Sequence, residues 1–397
     1  MKIQNNPPVH LTYCLNIHPG ETWQENFSAI KDKALVVRDS VCSGKPFGLG
    51  LRLGNEAVAG LLKGDALACF KAFLSGNNLY VFTINGFPYG SFHGTRVKEN
   101  VYRPDWRTRE RVDYTIKLAQ VLESILPGDI AGSISTVPGS YKRWIKSERD
   151  IFEMVKGLVE CVRYLDKVYR KSGKTICLAL EPEPDCFIER TEEAIKFFNE
   201  HLFCKGAEHL AALSGLSRSG AEESIRRHLG VCFDTCHIAL QFEDLKASFD
   251  SLLRNGISIP KIQLSSAISA PAGKCMKMAR FVDQVYLHQV RVRDKNSAMT
   301  SYDDLTVDLL EKLSGGGEGE VRAHFHVPLY FEGDGALGST SNLLADGFLK
   351  KLIGMETCLE IETYTYNVLP KVLCSRDVAC SIIDEYKWVL ERSGIRC

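Results

Sequence analysis

Eight short apolar runs, separated by long amphipathic stretches, restrict this chain more than any other feature. In order they read "HLTYCLNIH", "FGLGLRLG", "LYVFTING", "DIAGSISTV", "TICLALEPE", "LGVCFDTCH", "ISIPKIQLSS" and "TCLEIETYT". Most are apolar at successive positions, which is how parallel strands read when helices cover both faces of their sheet. Between them lie helix-sized segments. In "SERDIFEMVKGLVECVRYLDKVYRKSG", Ile151, Met154, Val155, Leu158, Val162 and Leu165 recur at helical spacing, and Gly173 ends the run. The repeating unit is strand then helix, and eight of them predict an α/β chain folded as a (β/α)8 TIM barrel.

No Pro/Ser-rich linker divides the chain, so a single barrel domain is expected over residues 1–397, with insertions near 204–228 and 267–320. The later insertion ends in the Gly-rich "SGGGEGE", which reads as a solvent loop or as the flank of a mobile lid. The 49 basic residues balance the 49 acidic ones, so bulk charge gives no sign of a nucleic-acid or membrane partner. Among fourteen cysteines, Cys14, Cys177, Cys232 and Cys358 sit inside strand-like runs, and no CxxC pair occurs. Together with "MKIQNNPPVHLTYC", which has no secretory pattern, this favours reduced thiols in a cytoplasmic protein. No uncharged apolar stretch reaches membrane-spanning length.

A barrel strand runs apolar through the core and places its functional side chains at the carboxyl end. Here Glu181 and Glu183 close the fifth run, Asp234 and His237 the sixth, Gln263 the seventh, and Glu360 and Glu362 the eighth. A side-chain period of two puts each glutamate pair on one face, a deeper member and a shallower one, of which only one need be a ligand. Carboxylates crowded into one barrel mouth repel or raise one another's pKa, and a divalent cation resolves the conflict. Two Glu, one Asp and a neutral donor make an open shell suited to Mn, Mg, Co or Zn. His324 and His326 in "RAHFHVPLYFEGDG" share parity and, with His237, form a three-imidazole set able to bind metal, carry protons or make structural hydrogen bonds.

The first strands contribute His18, Arg52, Asn85, Tyr89 and His93, polar residues expected on the opposite wall as substrate contacts or as core groups with their own partners. Arg96 belongs to "FHGTRVKENVYRPDWRTRER", a basic loop where a phosphate or carboxylate could dock or which could simply be solvated.

"GVCFDTCHIALQFED" resembles the DTCH signature of the endonuclease IV family within the xylose isomerase-like barrel superfamily. "LALEPEP", "KIQLSSA" and "LEIETYT" follow in the order of that superfamily's later strands. The resemblance implies that Glu181, Asp234, Gln263 and Glu362 form a central metal site, with His237, His324 and His326 near an additional metal. Gln263 replaces the superfamily's usual histidine. The nuclease's third- and fourth-strand histidines have no counterpart in "TINGFPYG" or "GSISTVPGS", which speaks against a complete trinuclear zinc site. Over the whole chain, "HLTYCLNIHPGETW", "PFGLGLRLG", "FTINGFPYGSFHGTRVKENVYRPDW", "YLHQV" and "LEIETYTYNVLP" resemble the EboE metabolite-traffic proteins, which implies handling or export of a small metabolite.

The expectation is therefore a divalent-metal protein acting on a small sugar, polyol or related metabolite as an isomerase or epimerase. The metal would hold vicinal substrate oxygens while Glu181 or Glu362 moves a proton and His237 assists. An endonuclease IV-like phosphoesterase and a non-catalytic metabolite carrier are the alternatives.

Overall fold

A computed structural model describes residues 1–91, 98–315, 318–345, 347–370 and 377–395. A hairpin of β1 (Lys2–Asn5) and β2 (Pro8–Tyr13) opens the chain. It is followed by β3 (Phe47–Arg52), β4 (Leu79–Asn85), β5 (Gly132–Thr136), β6 (Ile176–Leu180), β7 (Leu229–Asp234) and β8 (Ser258–Leu264). Next come β9 (Ala267–Pro271), β10 (Val290–Asp294), β11 (Met299–Tyr302), β12 (Gly319–His326) and β13 (Gly338–Ser339), before β14 (Thr357–Ile361).

The main sheet runs β1-β2-β14-β8-β7-β6-β5-β4-β3, and every pairing from β2 to β3 along it is parallel. A parallel bridge between Cys14 and Gly50 joins the two ends, so the eight runs read from the sequence close into a (β/α)8 barrel. Gly50 is required at this seam: a Cβ there would overlap the Glu360 carboxylate and lie 2.9 Å from the Tyr13 carbonyl oxygen. Strands β3, β5, β6 and β7 are buried at every position, as two-sided helix cover demands.

The long helix Glu148–Ser172 starts at a capping box between Ser147 and Asp150 and stops at Gly173, whose φ of 73° suits a residue without a side chain. The stretch before β7 is helical, with helices over Ala207–Ser214 and Arg218–His228. The stretch after β8 carries strands that the sequence reading did not place, and residues 316–317 of its Gly-rich end lie outside the described residues. It forms a five-stranded antiparallel sheet ordered β11-β10-β12-β9-β13, and helix Val307–Ser314 precedes β12. Along β12 the odd positions Val321, Ala323 and Phe325 are buried apolar groups, and Phe325 packs edge-on to Phe281. The alternate positions carry Arg322, His324 and His326, so this strand's other face supplies two imidazoles. No helix among the described residues is long and apolar enough to cross a membrane.

Candidate metal centre

Glu181 follows β6, Asp234 ends β7 and Glu362 follows β14, so three strand ends bring three carboxylates together. One oxygen from each lies within 4.8 Å of the others, and all three residues are buried. Asp234 caps the short helix Thr235–Leu240: its Oδ1 accepts from the His237 amide at 2.9 Å and from Ser265 Oγ at 2.7 Å. Glu362 Oε1 accepts from Asn16 Nδ2 at 2.8 Å and Asn85 Nδ2 at 3.0 Å. These bonds account for only one side of the cluster. Glu181 Oε2 and Asp234 Oδ2 are buried with no hydrogen-bond partner.

The electrostatics agree. Burial pushes the Glu181 carboxyl up to about 8, with Asp234 and Glu183 adding to the rise against His237. Burial likewise lifts Glu362 well above the carboxylate range, and Glu181 and Asp234 add to it. Asp234 goes the other way: burial alone would raise it, but His237, His326 and its two donors together hold it low. Buried carboxylate oxygens facing one another without donors fit a cation.

Gln263 lies in register between Asp234 and Glu360 and is fully buried. Its Oε1 accepts from the Cys232 thiol at 3.0 Å and its Nε2 has no partner. Rotating the amide by half a turn gives Cys232 the N–H and frees Oε1, a neutral oxygen donor suited to a hard cation. Glu360, the deeper member of its pair, is neutralised by the protein itself: Lys261 Nζ lies 2.6 Å from its Oε2, and both are buried. Lysine therefore removes one carboxylate from the problem and leaves the other three.

The imidazoles form a second group beside the first. His237 Nδ1 donates to the Pro182 carbonyl at 2.9 Å, and His326 Nδ1 to the Glu362 carbonyl at 3.1 Å. His324 Nδ1 donates to Gln289 Oε1 at 2.8 Å. The Gln289 orientation is fixed because its Nε2 donates to the Pro184 carbonyl and to Tyr102 Oη. Every Nδ1 thus carries a proton, and the three Nε2 atoms are left to face the cluster. His237 Nε2 lies 3.0 Å from His324 Nε2 and 3.2 Å from Glu183 Oε2, while His326 Nε2 has no partner. Carbonyl-anchored imidazoles with converging bare nitrogens are the usual outer support of a metal site. Burial holds His326 down to about 4 and His324 well below the usual imidazole value, so both stay neutral. Asp234, His237 and His326 form one candidate ligand triad, Glu183, His237 and His324 another, and Cys236, His324 and His326 a third.

Among the described residues read as substrate contacts, only Asn85 lines the cleft that these groups share. Tyr13 Oη and His18 Nε2 are 3.0 Å apart in the core. Arg52 spends its guanidinium on the Gly20 and Gly90 carbonyls and on Glu21. Both residues lie outside the cleft lining: His18 meets Tyr13 at the end of β2, and loop groups reach Arg52. Tyr89 lines a separate surface depression with Arg103 and Trp144. His93 and Arg96 fall outside the described residues.

The cleft, ≈ 550 Å³ counting its open mouth, also takes in Asn16, Lys98, Tyr102, Glu183 and Tyr364, none of which the sequence reading placed in the site. Glu183 had a signal, its spacing of two from Glu181, but one ligand per pair had been assumed. Asn16 had a weaker one, two residues before His18.

No family model matches the chain, and no curated protein matches it. Solved structures of similar shape include a probable 3-DHS dehydratase, AsbF, involved in petrobactin synthesis from Bacillus anthracis. It shares 11% identity at a TM-score of 0.48, over 95% of this chain and 97% of its own. A D-tagatose 3-epimerase-like protein gives 12% identity and a TM-score of 0.48, over 97% of this chain and 98% of its own. The IOLI protein with a binding zinc atom gives 10% identity and 0.46, over 97% and 98%. Such loose likeness says nothing of chemistry, and the barrel rests on the strand order above. What the fold and the site define together is a (β/α)8 barrel whose mouth gathers buried carboxylates and imidazoles.

Proposed function

We propose that this protein binds a divalent cation, Zn, Mn, Mg or Co, and acts as an isomerase or epimerase on a small sugar-like or polyol-like metabolite. The observation that carries the reading is the Glu181, Asp234 and Glu362 cluster, with Glu181 Oε2 and Asp234 Oδ2 buried and unpartnered. Glu181, Asp234, Gln263 and Glu362 would hold the cation, and His237, His324 and His326 a further one. A bound cation supplies Lewis acidity toward neighbouring hydroxyl and carbonyl oxygens. The chain supplies proton movement: Glu181 Oε2 is free to take a proton, Asn16 and Asn85 steer Glu362, and His237 Nε2 offers a lone pair. A cytoplasmic location is part of this reading.

Metal analysis of protein purified without chelators tests the cation, with Asp234→Asn as control. Deuterium uptake from D2O into a panel of ketoses and keto-polyols, read by NMR, tests the reaction. Stoichiometric metal lost in the variant and exchange next to a carbonyl are expected. Metal-free wild-type protein would overturn the proposal.

The Glu183, His237 and His324 triad beside the carboxylates also favours a second reading, a metal-dependent phosphoesterase of the endonuclease IV kind, tested by cleavage of abasic DNA. The EboE-like motifs support a third, a metabolite-binding role in traffic or export, which predicts metal uptake with no turnover of any substrate.

A further inference from the structure

The floor of the cleft is ionic, but one of its walls is not. Phe87, Pro88, Val101 and Leu287 line it together with Tyr286, in the same cleft as the carboxylates and imidazoles. Val101 and Leu287 are half-buried, so they present apolar surface to the cavity while packed on the core behind it. A substrate hydroxylated along its whole length needs donors and acceptors along that wall, since polar groups left unpaired on burial are costly. Outside the carboxylates and imidazoles, the polar lining groups Asn16, Asn85, Tyr102 and Lys98 already have partners. Asn16 and Asn85 donate to Glu362, Tyr102 Oη lies between Glu183 and Gln289, and Lys98 Nζ donates to the Tyr286 carbonyl at 2.6 Å and to Asp304 at 2.7 Å.

We infer that the substrate is amphipathic: a compact oxygenated head that meets the cation site and an apolar body, of about one ring or a short branched chain, that lies on the Phe87, Val101 and Leu287 wall. This rests on the metal reading above and narrows its substrate class from a free sugar to an aryl- or alkyl-bearing oxygenated compound. The wall selects by area removed from water, and the head by chelation.

The test uses Co(II)-loaded full-length protein and two chelating probes of equal head, acetohydroxamate and benzohydroxamate. Both should perturb the Co(II) spectrum, and benzohydroxamate should bind about tenfold tighter or better, as burial of a ring predicts. Leu287→Asn and Val101→Thr, made separately so that one misfolded variant does not decide the matter, should each erase most of that preference, read as the ratio of the two probes' affinities within the same variant. Equal affinity of the two probes for wild-type protein, with the spectrum perturbed by both, overturns the amphipathic substrate and leaves the metal site standing. A spectrum that neither probe moves overturns the metal reading, and this inference with it.

Discussion

His237 Nε2 and His324 Nε2 face each other at 3.0 Å, while each ring donates through its Nδ1. Two lone pairs at that distance repel unless something positive lies between them. Without a cation that charge is a proton shared at this contact; Glu183 Oε2 lies 3.2 Å from the same His237 Nε2, and burial pushes its carboxyl well above the usual range. Cation binding should displace this proton. Calorimetric titration with zinc in buffers of different ionisation enthalpy should show proton release, and His324→Ala should lower uptake from about two equivalents to one, because an imidazole ligand is lost while the carboxylates remain. Unchanged stoichiometry in His324→Ala would assign these rings a structural role instead.

Asn16 and Asn85 both donate to a single oxygen of Glu362. Each alanine variant leaves one donor, so the glutamate keeps part of its orientation. The double variant leaves none. Metal affinity should fall modestly in either single variant and by roughly 10- to 100-fold in the double, the usual cost of losing the groups that orient a ligand. Dissociation constants from competition with a chromophoric chelator check this, and additive losses would show that the two amides act independently.

Lys261 and Glu360 form an ion pair inside the barrel, both about 1% exposed. Lys261→Met strands a buried carboxylate and should destabilise the fold by about 3–5 kcal/mol, while the double variant Lys261→Met/Glu360→Leu should regain most of the loss. Urea unfolding of the three proteins measures both effects.

Glu385 in helix Val378–Ser393 offers a pH test at a carboxyl outside the candidate ligand set. Its Oε1 accepts from Thr363 Oγ1 at 2.7 Å and the Leu329 amide at 3.1 Å, yet burial dominates and lifts its pKa from 4.5 to about 7. The folded protein therefore holds a proton that the unfolded chain releases. That contribution is fully present below about pH 4.5 and is lost as pH rises through about 7, a change on the order of 3 kcal/mol for a shift of this size. Glu385→Gln should flatten the stability profile across that window and stabilise the protein above it, as read from denaturation midpoints at a series of pH values.

How much of this was legible depended on how local the signal was. Each barrel strand announced itself because its partners on both sides are apolar, so the run itself records the burial. The carboxyl-end acids were legible for the same reason: Asp234 and Glu362 interrupt apolar runs where a barrel places its chemistry. Partners distant in sequence were not. Arg52 stayed open between a substrate contact and a partnered core group because nothing in "LGLRLG" reveals the Gly20 and Gly90 carbonyls that bind it. The five-stranded sheet stayed hidden because "VRVRD" and "MTSY" are short and half polar, and antiparallel neighbours, not covering helices, hold them in place.

The barrel closes where β14, the last of its strands to be made, slots between β2, the first, and β8. A ribosome releasing this chain therefore exposes Glu181 and Asp234 long before Glu362 exists to complete their ring. Until Thr357–Ile361 emerges, the nascent barrel lacks the strand between β2 and β8, and the proposed cation site lacks one of its carboxylates. Metal loading should accordingly be a post-translational event, and any stop codon upstream of that strand should yield a product unable to retain the ion.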